Sequence, residues 1–399
     1  MKEIKNVIKI VILFFLFVTT NTVYAYDKLE NTELSNINSK KAVVIERNSK
    51  KVLYGKKENE KAKMASTTKI MTAMVVIQNA NLDNIVEVSK KAATTGGSRL
   101  KLKSGDKITV KDLLYGLMLR SGNDAAVALA EYVGGSVEGF ANLMNSNVKE
   151  LGLRNTHFIT PHGLDNEEHY TTPYELALIT DYALKNEVFA EIVRTKTANI
   201  TINGQNRTIN NTNELLGNLN GVYGVKTGFT NGAGRCLVTA VKRGDMDIIC
   251  VVLEADAKKN RTKDSVKLIE YSFEKYKTIK LNKKIQEEFN KWNNLYRNRI
   301  NIEKGDGNRL SLKLDYNEEF TYPILNDTEK EIKVEILPKT SLKAPIEKGT
   351  EIGKLQVKYR EEIIKEVSVI NTNVIKRKKI NDYFLEFIKK YSTYVESII

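Results

Sequence analysis

The sequence predicts an α+β protein of more than one domain. Hairpin signals alternate with helical patterns up to about residue 276, short alternating runs follow from 285 to 370, and a helical pattern closes the chain. With 399 residues, of which 41% are hydrophobic, the chain is long enough to bury a large core. We expect a first domain over residues 26–278, a smaller all-β domain over residues 279–372 and an amphipathic helix over residues 373–399.

Residues 1–25 have the composition of a secretory signal peptide. A charged start, Met1–Lys5, precedes an apolar run from Val7 to Val18, and Val23-Tyr24-Ala25 resembles a small-residue cleavage site. The apolar run is short for a membrane span, which needs about 20 residues. An uncleaved N-terminal anchor is the alternative. The sequence therefore predicts an exported protein.

The formal net charge of +14 favours an anionic partner. An exported chain rarely meets nucleic acid, and the sequence has no motif for binding it, so we interpret the charge as affinity for a cell envelope. The three His have no metal-ligand spacing, and we expect no metal and no other cofactor. Cys236 and Cys250 flank a predicted hairpin turn. They could face each other across the strands, but buried free thiols are the favoured interpretation.

The first domain begins with a predicted hairpin around the turn Arg47–Lys50, followed by a helix. The run from Ile70 to Ile77 is apolar on nearly every face and has no Pro or Gly, which predicts a helix inside the domain. Ser66 and Lys69 are three residues apart, so on a helix they lie on one side, within reach of each other. A neutral Lys can take the proton of a Ser hydroxyl, and burial or a second cation keeps a Lys neutral.

Two more helices are expected over residues 111–119 and 124–132, with Ser121-Gly122-Asn123 in the short joint between them. Polar side chains in such a joint can point into a cleft while the helices hold them still. The competing interpretation is an ordinary N-cap for the second helix.

The rest of the first domain is predicted to contain a surface hairpin, two buried paired strands and two helices. The corresponding ranges are 199–213 for the hairpin, 235–241 and 246–254 for the strands, and 174–184 and 264–276 for the helices. The three His lie in or beside a loop rich in turn residues, and we interpret them as structural hydrogen-bonding groups. Lys226-Thr227-Gly228 precedes the buried strands, and its Gly allows close approach of a ligand.

The terminal helix carries one apolar stripe behind a basic cluster, Lys376–Lys379. The stripe comprises Ile380, Tyr383, Phe384, Phe387, Ile388, Tyr391, Val395 and Ile398. This pattern suits a helix lying in the plane of an anionic membrane. A docking or dimerising helix is the rival interpretation.

Ser66-x-x-Lys69, Ser121-Gly122-Asn123 and Lys226-Thr227-Gly228, in this order, form a signature of penicillin-interacting enzymes. Over residues 40–275 the chain resembles the secreted serine-type D-Ala-D-Ala carboxypeptidases, the low-molecular-mass penicillin-binding proteins of bacterial cell walls. The stretch from His157 to Ala177, with Pro-His-Gly-Leu-Asp and His-Tyr-Thr-Thr-Pro, supports the resemblance. The β domain and the terminal helix match in layout only, and Gln286–Arg299 is more helix-like than this resemblance leads us to expect.

The resemblance implies an antiparallel sheet flanked by helices, as in β-lactamases and transpeptidases, with the nucleophile helix at its centre. It implies cleavage of the terminal D-Ala from peptidoglycan stem peptides, acylation by β-lactam antibiotics, and a place at the outer face of the cytoplasmic membrane or in the cell wall. A β-lactamase and a non-catalytic wall-binding module are the alternatives.

The resemblance also assigns roles to residues. Ser66 is the expected nucleophile and Lys69 its base, kept neutral by burial and by Lys226. Ser121 relays a proton and Asn123 holds the acylated peptide. The N–H groups of Ser66 and Phe229 are the expected oxyanion donors. Lys226 and Thr227, assisted by Arg261, are expected to bind the substrate carboxylate, and Gly228 is expected to lie in the same substrate-binding strand.

Overall fold

The computed structural model describes Leu34, residues 36–306 and residues 309–396. The predicted signal peptide, residues 1–25, lies outside the described residues. In the part of the chain that is described, no helix has both the length and the apolarity needed to cross a bilayer.

The described chain contains ten α-helices and seventeen strands. The helices are α1 (Lys69–Asn79), α2 (Lys90–Thr94), α3 (Val110–Leu119), α4 (Asn123–Gly134), α5 (Val137–Glu150), α6 (Pro173–Leu184), α7 (Glu187–Arg194), α8 (Lys258–Lys275), α9 (Asn282–Tyr296) and α10 (Ile380–Glu396). The strands are β1 (Lys41–Glu46), β2 (Val52–Lys56), β3 (Ile85–Glu87), β4 (Lys107–Thr109), β5 (Thr197–Ile202), β6 (Gln205–Asn210), β7 (Val222–Thr230), β8 (Gly234–Arg243), β9 (Met246–Ala255), β10 (Tyr276–Lys280), β11 (Asn301–Glu303), β12 (Leu312–Leu314), β13 (Thr321–Leu325), β14 (Ile332–Pro338), β15 (Ser341–Lys343), β16 (Glu351–Tyr359) and β17 (Glu362–Asn371).

The first domain is built on a five-stranded antiparallel sheet of order β2-β1-β9-β8-β7. Successive side chains of a strand point to opposite faces, so each face of a buried strand needs its own cover. Val43 and Ile45 belong to the apolar core that contains α1, whereas Val44 packs with Leu268 and Ile269 of α8. The predicted α+β class, an antiparallel sheet with helices on both faces, is therefore confirmed.

Helix α1 lies at the centre of the helical half of the domain. All its residues from Lys69 to Val76 are buried, as the apolar sequence on every face predicts. Helices α3, α4, α5, α6 and α7 contribute to the same apolar core. A small sheet of order β3-β4-β5-β6 contains the predicted surface hairpin. The 3₁₀ turn Ala65–Thr68 joins α1 to the chain before it, and this turn contacts β7 at the edge of the main sheet.

The second domain is built of strands, as predicted. Its main sheet has the order β12-β17-β16-β14, and β10 pairs with β13 beside it. The predicted boundary between residues 278 and 279 falls inside β10, so the chain enters this domain a few residues earlier than expected.

Helix α9 is an addition to the predicted all-β domain. Ile285 and Phe289, one turn apart, pack with Leu355 and Val357 of β16 in one apolar cluster. A helix that buries a stripe at this spacing is stabilised by the sheet beneath it. The helical character of 286–299 was visible in the sequence, but its packing on the sheet was not.

Two further predictions can be compared with the structure. Helix α8 begins at Lys258, before the predicted start at Asp264. The sequence did not show this earlier start because the first turns are charged and carry no apolar pattern. Cys236 and Cys250 are free and buried, as favoured, and they do not face each other: Cys236 lies opposite Gly228, and Cys250 lies opposite Thr239. Burial raises the pKa of both thiols to about 12.

Helix α10 is exposed along its apolar stripe. The exposed fractions are 87% for Ile380, 64% for Phe384, 68% for Phe387 and 62% for Tyr391. Of the predicted stripe, Ile398 lies outside the described residues, and only the backbone of Val395 is described. The predicted amphipathic helix is confirmed, and nothing in the described chain covers its apolar face.

Glu175 of α6 forms hydrogen bonds with residues 154–156, which precede the loop that contains His162. This buried carboxylate accepts hydrogen bonds from the backbone N–H groups of Arg154 and Asn155, and from the hydroxyl of Thr156. We expect Glu175→Ala to lower the free energy of unfolding by roughly 2–4 kcal/mol, because it leaves two backbone donors without their acceptor. Thermal denaturation followed by circular dichroism measures this loss.

The control for this prediction is Glu150→Ala, at the exposed end of α5. Its free energy of unfolding should stay within about 0.5 kcal/mol of the wild-type value. Equal midpoints for the two variants would contradict the role assigned to Glu175.

Candidate active site

A cleft of about 500 Å³ lies where the helical half of the first domain meets strand β7. Ser66 lies in it, together with Ser121 from the joint before α4 and Thr227, Gly228 and Phe229 from β7. Three stretches that are far apart in the sequence therefore meet at one place. The site residues predicted from the three motifs are brought together, with Lys69, Asn123 and Lys226 buried beneath the cleft.

Two glycines hold the turn that carries Ser66. Gly163 has a φ of +84°, and a Cβ there would lie 1.9 Å from the carbonyl oxygen of Ala65. A Cβ on Gly228 would lie 3.2 Å from both the backbone nitrogen of Ser66 and the Cβ of Ala65. At Gly163 only glycine permits this approach, because its φ is positive and a Cβ would clash with the Ala65 carbonyl. At Gly228 the contact is tight, and a Cβ would require its neighbours to shift by a few tenths of an ångström. The Ser66 turn therefore packs between the loop that contains Gly163 and the edge strand β7.

Lys69 is fully buried, and its amine has three oxygen neighbours. Its Nζ lies 2.8 Å from Ser66 Oγ, 2.7 Å from Asn123 Oδ1 and 3.0 Å from the carbonyl oxygen of His162. The amide oxygen of Asn123 and the carbonyl of His162 can only accept hydrogen bonds. A neutral amine has two N–H groups and one lone pair, so when both N–H groups serve these acceptors, the lone pair faces the Ser66 hydroxyl.

The electrostatic surroundings favour the neutral form of this amine. Burial lowers the pKa of Lys69 well below its usual value, and the nearby cation of Lys226 lowers it further. The carboxylate of Asp124 acts in the opposite direction. Lys226 is itself buried, and burial, followed by the charge of Arg261, lowers its pKa to about 7. The direction of the Lys69 shift agrees with the expectation that burial and Lys226 keep this amine neutral.

Asn123 and Asp124 begin α4 and fix one wall of the cleft. The Asn123 side chain donates to the carbonyl of Gly96 over 2.7 Å while its oxygen accepts from Lys69. Asp124, also fully buried, accepts hydrogen bonds from the N–H groups of Leu100 and Leu102. The first turn of α4 therefore positions Lys69 and holds the loop that precedes β4. The interpretation of Ser121-Gly122-Asn123 as an ordinary N-cap is wrong, because the N-cap residue is Gly122 and no side chain caps the helix.

Ser121 is nearly buried and has a positive φ of +60°. Non-glycine residues rarely adopt this conformation, which costs about 1–2 kcal/mol and tends to occur at functional sites. It turns the chain sharply between α3 and α4. The Ser121 side chain is thereby placed at the cleft rather than along either helix.

The edge strand supplies the opposite wall. The hydroxyl of Thr227 lies 2.9 Å from that of Thr212. Arg261 reaches the same cleft from α8, where it pairs with Glu214 over 3.2 Å. Its buried Nε has no hydrogen-bond partner among the described residues.

The three His serve the structure, as predicted. His169 lies 2.8 Å from the Thr68 hydroxyl and accepts a hydrogen bond from Ile159 N–H. Burial is the main reason that the pKa of His162 falls to about 3 and that of His169 to about 4, so both stay neutral. His162 contributes to the site only through its carbonyl oxygen.

Sequence reasoning missed four residues around this site: Glu214, Thr212, Asp124 and Gly163. Asp124 carried a weak signal, because it directly follows Asn123 in the joint. Glu214 and Thr212 lie in a polar stretch with no periodicity, where nothing distinguishes them from their neighbours. Their roles come from the fold, which brings this stretch beside β7 and α8.

Comparisons with known proteins find matches to both domains of the chain. A family profile described as D-alanyl-D-alanine carboxypeptidase matches residues 28–257, and one described as penicillin-binding protein 5, C-terminal domain, matches residues 273–377. The chain is 34% identical over 379 residues to D-alanyl-D-alanine carboxypeptidase DacF of Bacillus subtilis, covering 91% of each protein. It is 38% identical over 276 residues to DacC of Escherichia coli, covering 66% of this chain and 68% of that protein.

Solved structures agree with these matches. Penicillin binding protein 5 from Haemophilus influenzae has a TM-score of 0.71 at 28% identity, covering 86% of this chain and 98% of that one. The D-alanyl-D-alanine carboxypeptidase DacD from Francisella tularensis has a TM-score of 0.66 at 27% identity, with 86% and 94% coverage. Both domains of the present chain are therefore similar in fold to proteins of this kind.

The coupling between the two buried amines can be measured directly. We expect the Lys69 amine to titrate well below pH 10.5, and Lys226→Gln to raise its pKa, because one of the two causes of the depression is removed. Nitrogen-15 chemical shifts of lysine side chains, followed against pH, report this titration. Lys259→Gln, an exposed cation on α8, is the control and should leave Lys69 unchanged. An identical Lys69 titration in the Lys226→Gln variant would contradict the coupling.

Proposed function

Because the chain belongs to the D-alanyl-D-alanine carboxypeptidase family of serine peptidases, we propose that Ser66 attacks the carbonyl between the two terminal D-Ala residues of a cell-wall stem peptide. The attack forms an ester between Ser66 and the penultimate D-Ala and releases the last D-Ala. The observation that carries this proposal is the contact between Ser66 Oγ and the buried amine of Lys69. Ser66 is otherwise an ordinary hydroxyl, and a hydroxyl needs a base to become a nucleophile.

The first step transfers a proton from Ser66 to Lys69. The neutral amine directs its lone pair to the hydroxyl while Asn123 and the His162 carbonyl take its two N–H groups. After the transfer, the ammonium has three N–H groups for the same three oxygen atoms. The surroundings therefore suit both protonation states, and little rearrangement accompanies the step.

The oxyanion of the tetrahedral intermediate would be bound by the backbone N–H groups of Ser66 and Phe229. The close approach of Gly228 to the Ser66 nitrogen supports this assignment, since it brings the edge strand beside the start of the Ser66 turn. Removing a donor of this kind costs on the order of 3 kcal/mol in the activation barrier.

The carboxylate of the terminal D-Ala would be bound by Lys226, the Thr227 hydroxyl and Arg261. Thr227 and Arg261 line the cleft, and Lys226 lies just beneath it. With a pKa of about 7, free Lys226 is only partly charged at neutral pH, and an arriving carboxylate favours its charged form. Charge-assisted hydrogen bonds of this type are stronger than neutral ones.

Ser121 and Asn123 would serve the departing and the retained parts of the substrate. Ser121, held at the cleft by its unusual backbone, would pass the proton from Lys69 to the leaving amine of D-Ala. Asn123 uses one amide N–H on Gly96, and its second amide N–H would hold the acylated peptide. Water would then hydrolyse the ester. A β-lactam would acylate Ser66 in the same way and stay longer, because its leaving group remains tethered.

We expect Ser66→Ala to abolish removal of the terminal D-Ala and covalent labelling by a fluorescent penicillin, because both reactions need the same hydroxyl. Mass spectrometry of a D-Ala-D-Ala muropeptide measures the first reaction, and gel fluorescence measures the second. Ser104→Ala, in an exposed turn, should keep both activities.

Labelling that persists in Ser66→Ala would refute Ser66 as the nucleophile. Rapid turnover of penicillin by the wild type without cleavage of the muropeptide would point to a β-lactamase instead. Folding of the variant is verified by its thermal midpoint.

We also propose that α10 anchors the exported enzyme to the outer face of the cytoplasmic membrane. The support is its exposed apolar stripe directly after the basic cluster Lys376–Lys379. An amphipathic helix of this type buries its apolar face among lipids while cations meet anionic headgroups.

Phe387→Glu should weaken binding to anionic phospholipid vesicles by at least about tenfold, because it places a charge among the apolar contacts. Thr393→Glu adds the same charge on the polar face and is the matched control. Vesicle co-sedimentation of the full chain measures both. Equal losses would show that the effect is one of charge alone and would contradict burial of the stripe.

A further inference from the structure

Four cations line the cleft beside Ser66, and two of them have no carboxylate partner in the described part of the chain. Lys258 and Arg261 both pair with Glu214, at 2.7 and 3.2 Å. Arg120 and Arg235 have no ion pair with any described residue, although both line the same cleft. A substrate that enters the cleft therefore meets two uncompensated guanidinium groups.

Arg235 is held on the sheet side of the cleft by an aromatic ring. It lies directly opposite Phe229 in the β7–β8 pair, and its guanidinium carbon lies 3.6 Å from the centre of that ring. An aromatic face attracts and orients a cation without neutralising its charge. The guanidinium is thereby held in the lining of the cleft that contains Ser66 and Gly228.

Arg120 stands on the helical side of the cleft. It ends α3, where its N–H donates to the carbonyl of Gly116, and the next residue is the sharply turned Ser121. Its backbone is fixed by these neighbours, while its side chain is exposed. A cation at this position also interacts favourably with the C-terminus of a helix, and that role affects stability rather than substrate choice.

We propose that Arg120 and Arg235 bind a second carboxylate of the stem peptide, on a residue that precedes the two D-Ala residues. The enzyme would then prefer stem peptides that carry a free carboxylate there over peptides in which it is a carboxamide. The inference rests on the proposed function, in which Lys226, Thr227 and Arg261 are already engaged by the terminal carboxylate. A guanidinium matches a carboxylate in charge and in geometry, and a carboxamide loses the charge.

The test uses pairs of synthetic peptides ending in D-Ala-D-Ala that differ only by a carboxylate or a carboxamide. The changed group is placed in turn on each of the two residues before the alanines. For the wild type, in at least one pair, we expect kcat/KM for the carboxylate peptide to exceed that for the carboxamide peptide by at least about tenfold. Arg120→Gln and Arg235→Gln should each bring this ratio towards one, chiefly by slowing the carboxylate peptide. Lys259→Gln, a cation outside the cleft, should preserve the ratio.

An N-acylated D-Ala-D-Ala dipeptide, which lacks the preceding residues, separates this inference from the function itself. The wild type and Lys259→Gln should cleave it at similar rates, and no cleavage by the wild type would refute the proposed function. Equal rates for both members of each pair in the wild type would overturn the second-carboxylate proposal. An unchanged ratio in both Arg120→Gln and Arg235→Gln would overturn it as well, even if their thermal midpoints fall.

Discussion

The structure of the active region depends on one buried amine. Lys69 lies at the start of a helix that is apolar on every side, and a charge there has no water to stabilise it. Loss of the proton removes the cost of burying this charge, and two of the surrounding oxygen atoms can accept the two N–H groups of the neutral amine. A lone pair aimed at Ser66 follows from this arrangement. The packing that buries α1 therefore also determines the protonation state of the amine beside Ser66.

The two walls of the cleft are held together by backbone contacts. Gly163 and Gly228 bring a loop and an edge strand against the Ser66 turn. A Cβ at Gly163 would clash with the Ala65 carbonyl oxygen, and a Cβ at Gly228 would be in tight contact with the turn. The five-stranded sheet fixes the position of β7, and α1 fixes the position of Lys69. Since both elements are packed in the same apolar core, Lys69 and the β7 residues opposite it are carried by rigid elements, and Ser66 lies in the turn held next to them.

The second domain is joined to the first by contacts away from the cleft. Strand β10 continues directly from α8, and Lys51 on the first hairpin bonds the Tyr322 hydroxyl over 3.1 Å. The same amine lies about 5 Å from the ring centres of Tyr322 and Tyr359. The chain then leaves this domain through the basic cluster into α10. The basic character of the whole protein is thus present both before the terminal helix and in the cleft, where two of four cations have no carboxylate partner among the residues that the structure describes.

The sequence by itself determined the fold class, most of the elements and the candidate reacting groups. Hydrophobic period and turn residues act locally, so they predicted the first hairpin, α1, α3, α4 and the terminal helix. The three short motifs carry their chemistry in their residue types, so Ser66, Lys69, Ser121, Asn123 and Lys226 could be named. Helix α9 and the early start of α8 were predicted less well, because their charged residues depend on tertiary packing.

Only the tertiary structure decided how these groups meet. The contact of Lys69 with the His162 carbonyl joins residues 93 positions apart, and a backbone carbonyl has no sequence signal. The pairing of Glu214 with Arg261, which leaves Arg120 and Arg235 uncompensated, likewise depends on which elements line one cleft. Residue types determine what chemistry is possible, whereas distance, burial and neighbouring charge determine which proton moves, and these are properties of the folded chain.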